Sequence, residues 1–84
     1  MPHTRPRPID VLNAVAYEYR ISLSDLTAKR PSSRTAWCCR VRQQAMLRLH
    51  RECGMSMRRI GDLLDRDHTS VSHGIQMASK ALPL

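Results

Sequence analysis

Two short apolar-patterned segments, separated by only two residues, constrain the fold of this 84-residue chain more than any other feature. The apolar residues at helical spacing are Met57, Ile60, Leu63 and Leu64 in the first segment and Val71, Ile75, Ala78 and Leu82 in the second. Asp65 and Arg66 form the turn, and Asp67 is placed to cap the second helix. Two helices joined by so tight a turn, with polar residues opening the second, predict a helix-turn-helix.

Further helices are predicted upstream, which makes the chain an all-α domain of about five helices. The first is predicted over Ile9 to Arg20, where the apolar positions are Leu12, Val15, Ala16 and Tyr19. Ser22 or Ser24 can cap a short helix through Leu26. The longest helix is predicted from about Ala36 to Cys53, because Gly54 is a typical helix stop. Residues 1–8, with three prolines and two arginines, predict a flexible basic arm before a single domain over residues 9–84.

Arginine dominates the charge of the chain. Fourteen Lys and Arg residues, twelve of them Arg, stand against seven Asp and Glu, which gives a net charge of +7. Ten of the fourteen basic residues lie between Lys29 and Arg66, in company with only three acidic residues. Because guanidinium groups suit phosphate and guanine, this balance indicates an anionic partner, most often nucleic acid. Solubility of a small protein is the other explanation.

The polar start of the last predicted helix has the chemistry of a base-reading surface. Since Val71 and Ile75 face the core, the residues expected to lie mainly outward are Thr69, Ser70, His73, Met77 and Lys80. Asp67 and His68 stand at the helix entry. In a major groove Asp67 can accept a hydrogen bond from a cytosine amino group, and the methyl group of Thr69 can contact a thymine methyl. His68 can make polar or apolar contacts with a base edge. A helix cap alone would explain Asp67 equally well, and the two roles are compatible.

Four motifs, in the right order, resemble the C-terminal DNA-binding domain, domain IV, of the bacterial chromosomal replication initiator DnaA. Residues 66–71 with His73 are similar to its signature RDHTTVxHA, and residues 60–62 to its IGD. Residues 19–26 resemble its Y-x-I-x-x-x-D-L, and residues 42–46 its RQ-x-AM. The resemblance covers about residues 9 to 80, which is almost the whole chain.

The resemblance implies an all-helical, Trp-repressor-like domain whose last helix enters the major groove of a short asymmetric DNA box. By position, residues 67–70 match the family's base-reading residues, and Arg42 with Gln43 match residues that contact the DNA backbone. Lys29 and Arg30 match the start of a basic loop that reaches the minor groove. Charge and resemblance together predict a backbone or minor-groove set of Lys29, Arg30, Arg34, Arg40, Arg42, Gln43, Arg58, Arg59 and Arg66.

The chain also departs from the family pattern at several positions. Pro31 occupies the place of the expected minor-groove arginine, for which Arg34 is the candidate replacement. Asp65 alone stands where the family has Gly-Gly, so the turn is shorter and carries a negative charge. Ser70 replaces a threonine and lacks its methyl group. The family's terminal helix is expected to be missing after Leu84.

No enzyme, metal or cofactor is expected. The sequence has no G-x-x-x-x-G-K-[ST] phosphate loop and no C-x-x-C pair, and Cys38 and Cys53 lie ~22 Å apart along one predicted helix at 1.5 Å per residue. Three cysteines indicate a reducing compartment rather than a disulfide framework. With no apolar run near the ~20 residues of a membrane span, a cytoplasmic, nucleoid-associated protein is expected.

The expected partner is double-stranded DNA, bound by a monomer, in transcription regulation or the control of DNA replication. A protein-interaction adaptor that binds a replication or transcription partner through the same surface is the alternative. Nonspecific RNA or single-strand binding is a third hypothesis. It is weakened because Trp37, Tyr17 and Tyr19 are the only aromatic residues, and both tyrosines are predicted on or near a buried helix face.

Overall fold

The computed structural model describes residues 5–27 and 36–80, and within these ranges it contains five α-helices and no strand. The helices are α1 (Pro8–Tyr19), α2 (Leu23–Thr27), α3 (Ala36–Cys53), α4 (Met57–Leu64) and α5 (His68–Lys80). The predicted all-α class, with a helix-turn-helix formed by α4 and α5, is confirmed. The predicted core residue Leu82 lies outside the described residues.

Side-chain caps and a left-handed glycine set three of the helix ends. Ser22, rather than Ser24, caps α2, because its hydroxyl accepts the backbone N–H of Asp25 at 3.1 Å. The hydroxyl of Ser56 does the same for α4, where it accepts the backbone N–H of Arg59 at 3.2 Å. Gly54 follows α3 with φ +66°, a conformation that glycine adopts without the penalty of a Cβ atom.

The described end of the predicted arm lies against the rest of the domain. Pro8 opens α1, a position where its missing N–H leaves no hydrogen bond unmade. The carbonyl of Pro6 accepts a hydrogen bond from the Cys53 thiol at 3.2 Å, which ties this segment to the last turn of α3. Arg7 pairs with Asp10 in the first turn of α1 at 3.1 Å. Residues 1–4 of the arm lie outside the described residues.

The central helix is α3, which packs against each of the other four helices. Its residues Val41, Ala45 and Leu49, which are spaced four residues apart and so share one side of the helix, are fully buried. The largest side chains buried around them from the other helices are Val11, Leu12, Val15, Leu26, Ile60, Leu64 and Val71. At about 25 cal/mol per Å² of apolar surface removed from water, such a core is the main stabilising contribution.

Two side chains predicted on or near a buried helix face are exposed. Tyr17 is 89% exposed, because it lies on the side of α1 opposite Val15. Leu63 is 39% exposed, although the spacing placed it on the inner face of α4. The buried side of α4 is centred between Ile60 and Gly61, which moves Leu63 to the solvent-facing flank.

Gly61 allows the turn to lie directly on α4. A Cβ atom at this position would come within 2.5 Å of the carbonyl oxygen of Arg66, a backbone atom of the turn. The backbone N–H of Arg66 donates to the carbonyl of Gly61 at 2.8 Å, and Asp65 adopts the left-handed conformation with φ 54°. Asp65, the single turn residue before Arg66, therefore closes the turn in a backbone conformation that L-residues disfavour.

We expect Gly61→Ala to lower the free energy of unfolding by about 1–3 kcal/mol, because the added methyl group displaces the turn backbone. Gly74→Ala is the matched control. A Cβ atom there meets the sulfur of the flexible Met46 side chain at 2.6 Å, and the better helix propensity of alanine offsets the contact. Urea denaturation followed by circular dichroism measures both, and equal losses in the two variants would contradict the role given to Gly61.

Candidate nucleic-acid interface

The first turns of α5 present the predicted base-reading residues to solvent. Asp67 and His68 stand at the helix entry with side chains 64% and 67% exposed. Thr69, Ser70 and His73 are also exposed, and they follow along the outer side of α5. The opposite side packs into the core. All five side chains are therefore accessible in the first turns of α5, and residues 67–70 with His73 are hereafter called the reading surface.

The polar groups at the start of α5 are already paired with one another. The Thr69 hydroxyl donates a short hydrogen bond to Oδ2 of Asp67, and Nδ1 of His68 lies 3.2 Å from Oδ1 of the same carboxylate. The hydrogen bond from Thr69 lowers the pKa of Asp67 below its ordinary value, and His68 acts in the same direction. Asp67 is therefore ionised at neutral pH and presents only hydrogen-bond acceptors.

An open groove of about 420 Å³ runs between α3 and α5 beside the reading surface. It is lined by Cys39, Arg42, Gln43 and Met46 of α3, Arg66 of the turn, and Thr69, Ser70, His73 and Gly74 of α5. Six of these residues belong to the predicted site. The fold thus brings the predicted backbone-contact pair on α3 next to the predicted base-reading residues on α5.

The remaining predicted arginines are distributed over α3, the turn and α4. Arg40 is exposed on α3, and Arg58 and Arg59 are exposed in the first turn of α4. Arg58 borders a shallow depression with Met57 and His68, which places it at the entry of α5. Arg66 donates to the carbonyl of Asp65 at 3.1 Å and so is anchored within the turn. Lys29, Arg30, Pro31 and Arg34 lie outside the described residues.

The family model described as bacterial dnaA protein helix-turn-helix matches residues 8–77. The chain belongs to this family. It is a DNA-binding helix-turn-helix domain, as the four motifs indicated.

Relatives named chromosomal replication initiator protein DnaA are similar over most of the chain. The protein of Neisseria meningitidis serogroup C is 41% identical over 71 residues, which are 83% of this chain and 13% of the relative. DnaA of Thermomicrobium roseum is 38% identical over 73 residues, 86% of this chain and 15% of the relative. DnaA 2 of Protochlamydia amoebophila is 33% identical over 75 residues, which are 89% of this chain and 16% of the relative. The chain thus spans only about a seventh of each of these relatives.

Arg42, which was predicted to contact the DNA backbone, is mostly buried. It is only 8% exposed, since α2 covers it. Its Nη1 atom donates to the carbonyl of Asp25 at 3.4 Å, and its Nη2 atom donates to the sulfur of Cys39 at 3.3 Å. In this DnaA-type domain, Arg42 therefore joins α2 to α3, and it also lines the groove.

Arg48 of α3, which is not in the predicted site, pairs with acidic residues. Its guanidinium donates to Glu52 at 2.7 Å and lies 3.7 Å from Glu18 of α1. The hydrogen bond to Glu52 raises the pKa of Arg48, and the same bond lowers the pKa of Glu52. Arg48 thus contributes to the contact between α1 and α3 rather than to the candidate interface.

Sequence reasoning missed the residues that form the floor and near wall of the groove. Cys39 and Met46 line it because they lie one turn before and one turn after Arg42 and Gln43 on the same side of α3. That helical spacing was available in the sequence as a signal. Gly74 lines it because the missing side chain lets the sulfur of Met46 approach closely, which no pattern in the sequence indicates.

No group of three or more His, Cys, Asp or Glu side chains within the described residues is arranged to hold a metal ion. None of the helices in the described ranges combines the length and the apolar character that crossing a membrane requires.

We expect Arg42→Ala to lower the free energy of unfolding by about 1–3 kcal/mol, because it removes charge-assisted hydrogen bonds and buried stem atoms of a DnaA-type core. Arg40→Ala, two residues earlier on the exposed side of α3, is the control and is expected to change stability by less than about 0.5 kcal/mol. Thermal and urea unfolding compare the two. Equal stability of both variants would show that Arg42 does not join α2 to α3.

Proposed function

We propose that this chain binds double-stranded DNA in a sequence-specific manner, with the start of α5 in the major groove, and that it acts in the control of replication initiation or of transcription. The observation that carries the proposal is the reading surface. Five side chains able to contact base edges are exposed together, on a helix that the family places in a helix-turn-helix. A B-DNA major groove is wide enough to admit such a helix.

Each group on the reading surface has a suitable target in the groove. The ionised carboxylate of Asp67 accepts from the amino group of cytosine, and the Thr69 methyl group packs against the methyl group of thymine. His68 reaches the same groove floor from the helix entry. The Ser70 hydroxyl, with the backbone N–H groups of the first turn of α5, binds a phosphate that the helix dipole attracts. Specificity therefore resides in α5.

The exposed arginines supply affinity rather than specificity. Arg58 and Arg59 at the start of α4, and Arg40 on α3, contact phosphates on either side of the groove in which α5 lies. Each neutralised phosphate releases counterions, so affinity falls steeply as salt rises. Gln43 and Arg42, which line the groove between α3 and α5, hold the DNA backbone there.

The role in replication is proposed from the names of the relatives, which are chromosomal replication initiators. Because the chain matches only about a seventh of their length, the activities of the whole initiator are not transferred to it. A domain with this surface and no phosphate loop in its sequence suits a binder that occupies a DNA site. We propose that it does so in the cytoplasm, on the nucleoid, as a monomer.

The decisive experiment selects bound duplexes from a random pool and then measures affinity for the selected site and for a scrambled duplex across a salt series. We expect His68→Ala to lose about 1–3 kcal/mol on the selected site and to relax preference at one position. Arg59→Ala, the control, is expected to weaken binding to both duplexes alike and to reduce the salt slope by about 1. A pool with no enriched sequence, or His68→Ala with full selectivity, would remove the sequence-reading function.

A second prediction concerns the charge in the shortened turn. Asp65→Asn removes a carboxylate from the turn that precedes the reading surface, and asparagine tolerates the left-handed conformation there. We expect affinity for any duplex to rise by roughly 2- to 5-fold at low salt, with the difference shrinking as salt increases. Fluorescence anisotropy at several salt concentrations measures this. An increase confined to the selected site would instead indicate a base contact by residue 65.

A further inference from the structure

We propose that Thr69 is a positioning residue as well as a contact residue: its hydroxyl holds the Asp67 carboxylate so that the two side chains read DNA as one unit. The inference rests on the proposed sequence-specific binding. It goes further because it assigns to Thr69 the orientation of a second reading group.

The carboxylate of Asp67 needs such support. It stands on a short stem at the helix entry, and its side chain is 64% exposed. An exposed side chain of this kind samples several rotamers, and fixing it only when DNA binds reduces the affinity and blurs the selectivity. The Thr69 hydroxyl donates to Oδ2 and so fixes one oxygen of the carboxylate before DNA arrives. The other oxygen, Oδ1, faces Nδ1 of His68 at 3.2 Å.

The paired carboxylate retains capacity for a base. An ionised carboxylate offers about four lone-pair positions, of which Thr69 and His68 use one each. The remaining positions accept the amino hydrogen of a cytosine. The hydrogen bond from Thr69 also lowers the pKa of Asp67, which keeps the carboxylate in its acceptor-only form. The pairing therefore prepares Asp67 for reading and does not occupy it.

The same hydrogen bond fixes the methyl group of Thr69. Both the hydroxyl and the methyl group are attached to Cβ, so one torsion angle determines the position of both. The single hydroxyl hydrogen is directed to Asp67, which leaves the hydroxyl no hydrogen to donate to a base. Thr69 consequently discriminates bases through its methyl group, and its hydroxyl acts on Asp67.

A simpler role would be that the Thr69–Asp67 bond only stabilises the start of α5. The main chain already closes this turn, because the backbone N–H of Val71 donates to the carbonyl of Asp67 at 3.1 Å. Thr69 is also exposed and makes no part of the buried core. A helix stabiliser and a positioning residue are distinguishable by what happens to base preference.

Two substitutions separate the effect of the Thr69 hydroxyl from the effect of its methyl group. Thr69→Val keeps the shape and a methyl group but removes the donor, whereas Thr69→Ser keeps the donor and removes the methyl group. Asp67→Ala first identifies the base pair at which preference depends on Asp67, from selection and affinity measurements on singly changed duplexes. We expect Thr69→Val to lose about 3- to 10-fold of the discrimination at that same base pair. Thr69→Ser is expected to retain it and to lose preference only at the base pair that Thr69 itself contacts.

A titration without DNA provides an independent readout. Carbon-detected NMR of the Asp67 carboxylate should show a higher pKa in Thr69→Val than in the wild type, because the hydrogen bond that lowers it is gone. Thr69→Ser should keep the wild-type pKa. Both variants are expected to retain the wild-type melting temperature and helical circular dichroism.

The outcomes distinguish this proposal from the one on which it rests. Full discrimination by Thr69→Val at the Asp67-dependent base pair, or an equal loss there by Thr69→Ser, would overturn the positioning role while leaving sequence-specific binding intact. An unchanged Asp67 pKa in Thr69→Val would overturn it as well. A wild-type pool without any enriched sequence would remove both proposals together.

Discussion

The close approach of the turn backbone to Gly61 governs the rest of this structure. Because the carbonyl of Arg66 lies where a Cβ atom would stand, α5 begins directly against α4 instead of being held away by a side chain. The hydrogen bond from the Arg66 amide to the Gly61 carbonyl fixes this arrangement. It presents the polar start of α5 to solvent while Val71 and Ile75 enter the core. The exposure of the reading surface at the start of α5 thus depends on the absence of a side chain at Gly61 of α4.

The arginines of α3, nearly indistinguishable in the sequence, have separate physical roles. Arg42 is buried and joins α2 to α3, Arg48 forms ion pairs with Glu52 and Glu18, and Arg40 is exposed. Burial of a guanidinium is tolerable only where hydrogen bonds accompany it, as the carbonyl of Asp25 provides here. A net charge of +7 therefore overstates what the interface can use, since part of the positive charge stabilises the fold.

Local patterns in the sequence predicted the elements well, and tertiary contacts were predicted less well. Gly54 marked the end of α3 correctly, and Ser22, one of two candidate caps, marked the start of α2, because caps and stops are local interactions. The burial of Arg42 was not predictable, because it depends on where α2 crosses α3. Leu63 was wrongly assigned to the core, because the turn packs on the Gly61 side of α4. The groove between α3 and α5 likewise arises from helices distant in the chain, although the polar residues on its α5 wall were recognisable from their chemistry.

A carboxylate at the tip of a basic, polyanion-binding surface lowers the affinity for DNA. Its presence there therefore indicates a role in selectivity. Near phosphates, ionised Asp67 is repelled by every duplex, and only a base-pair edge with an amino donor in reach compensates for that repulsion. Its lowered pKa means that protonation does not relieve the conflict at neutral pH. Such a residue acts against wrong sequences more than it favours the right one. This discrimination requires the carboxylate to keep its place when the base is wrong, and a free side chain would simply rotate away. The hydroxyl of Thr69 and the imidazole of His68, both within hydrogen-bonding distance of the carboxylate, resist that rotation.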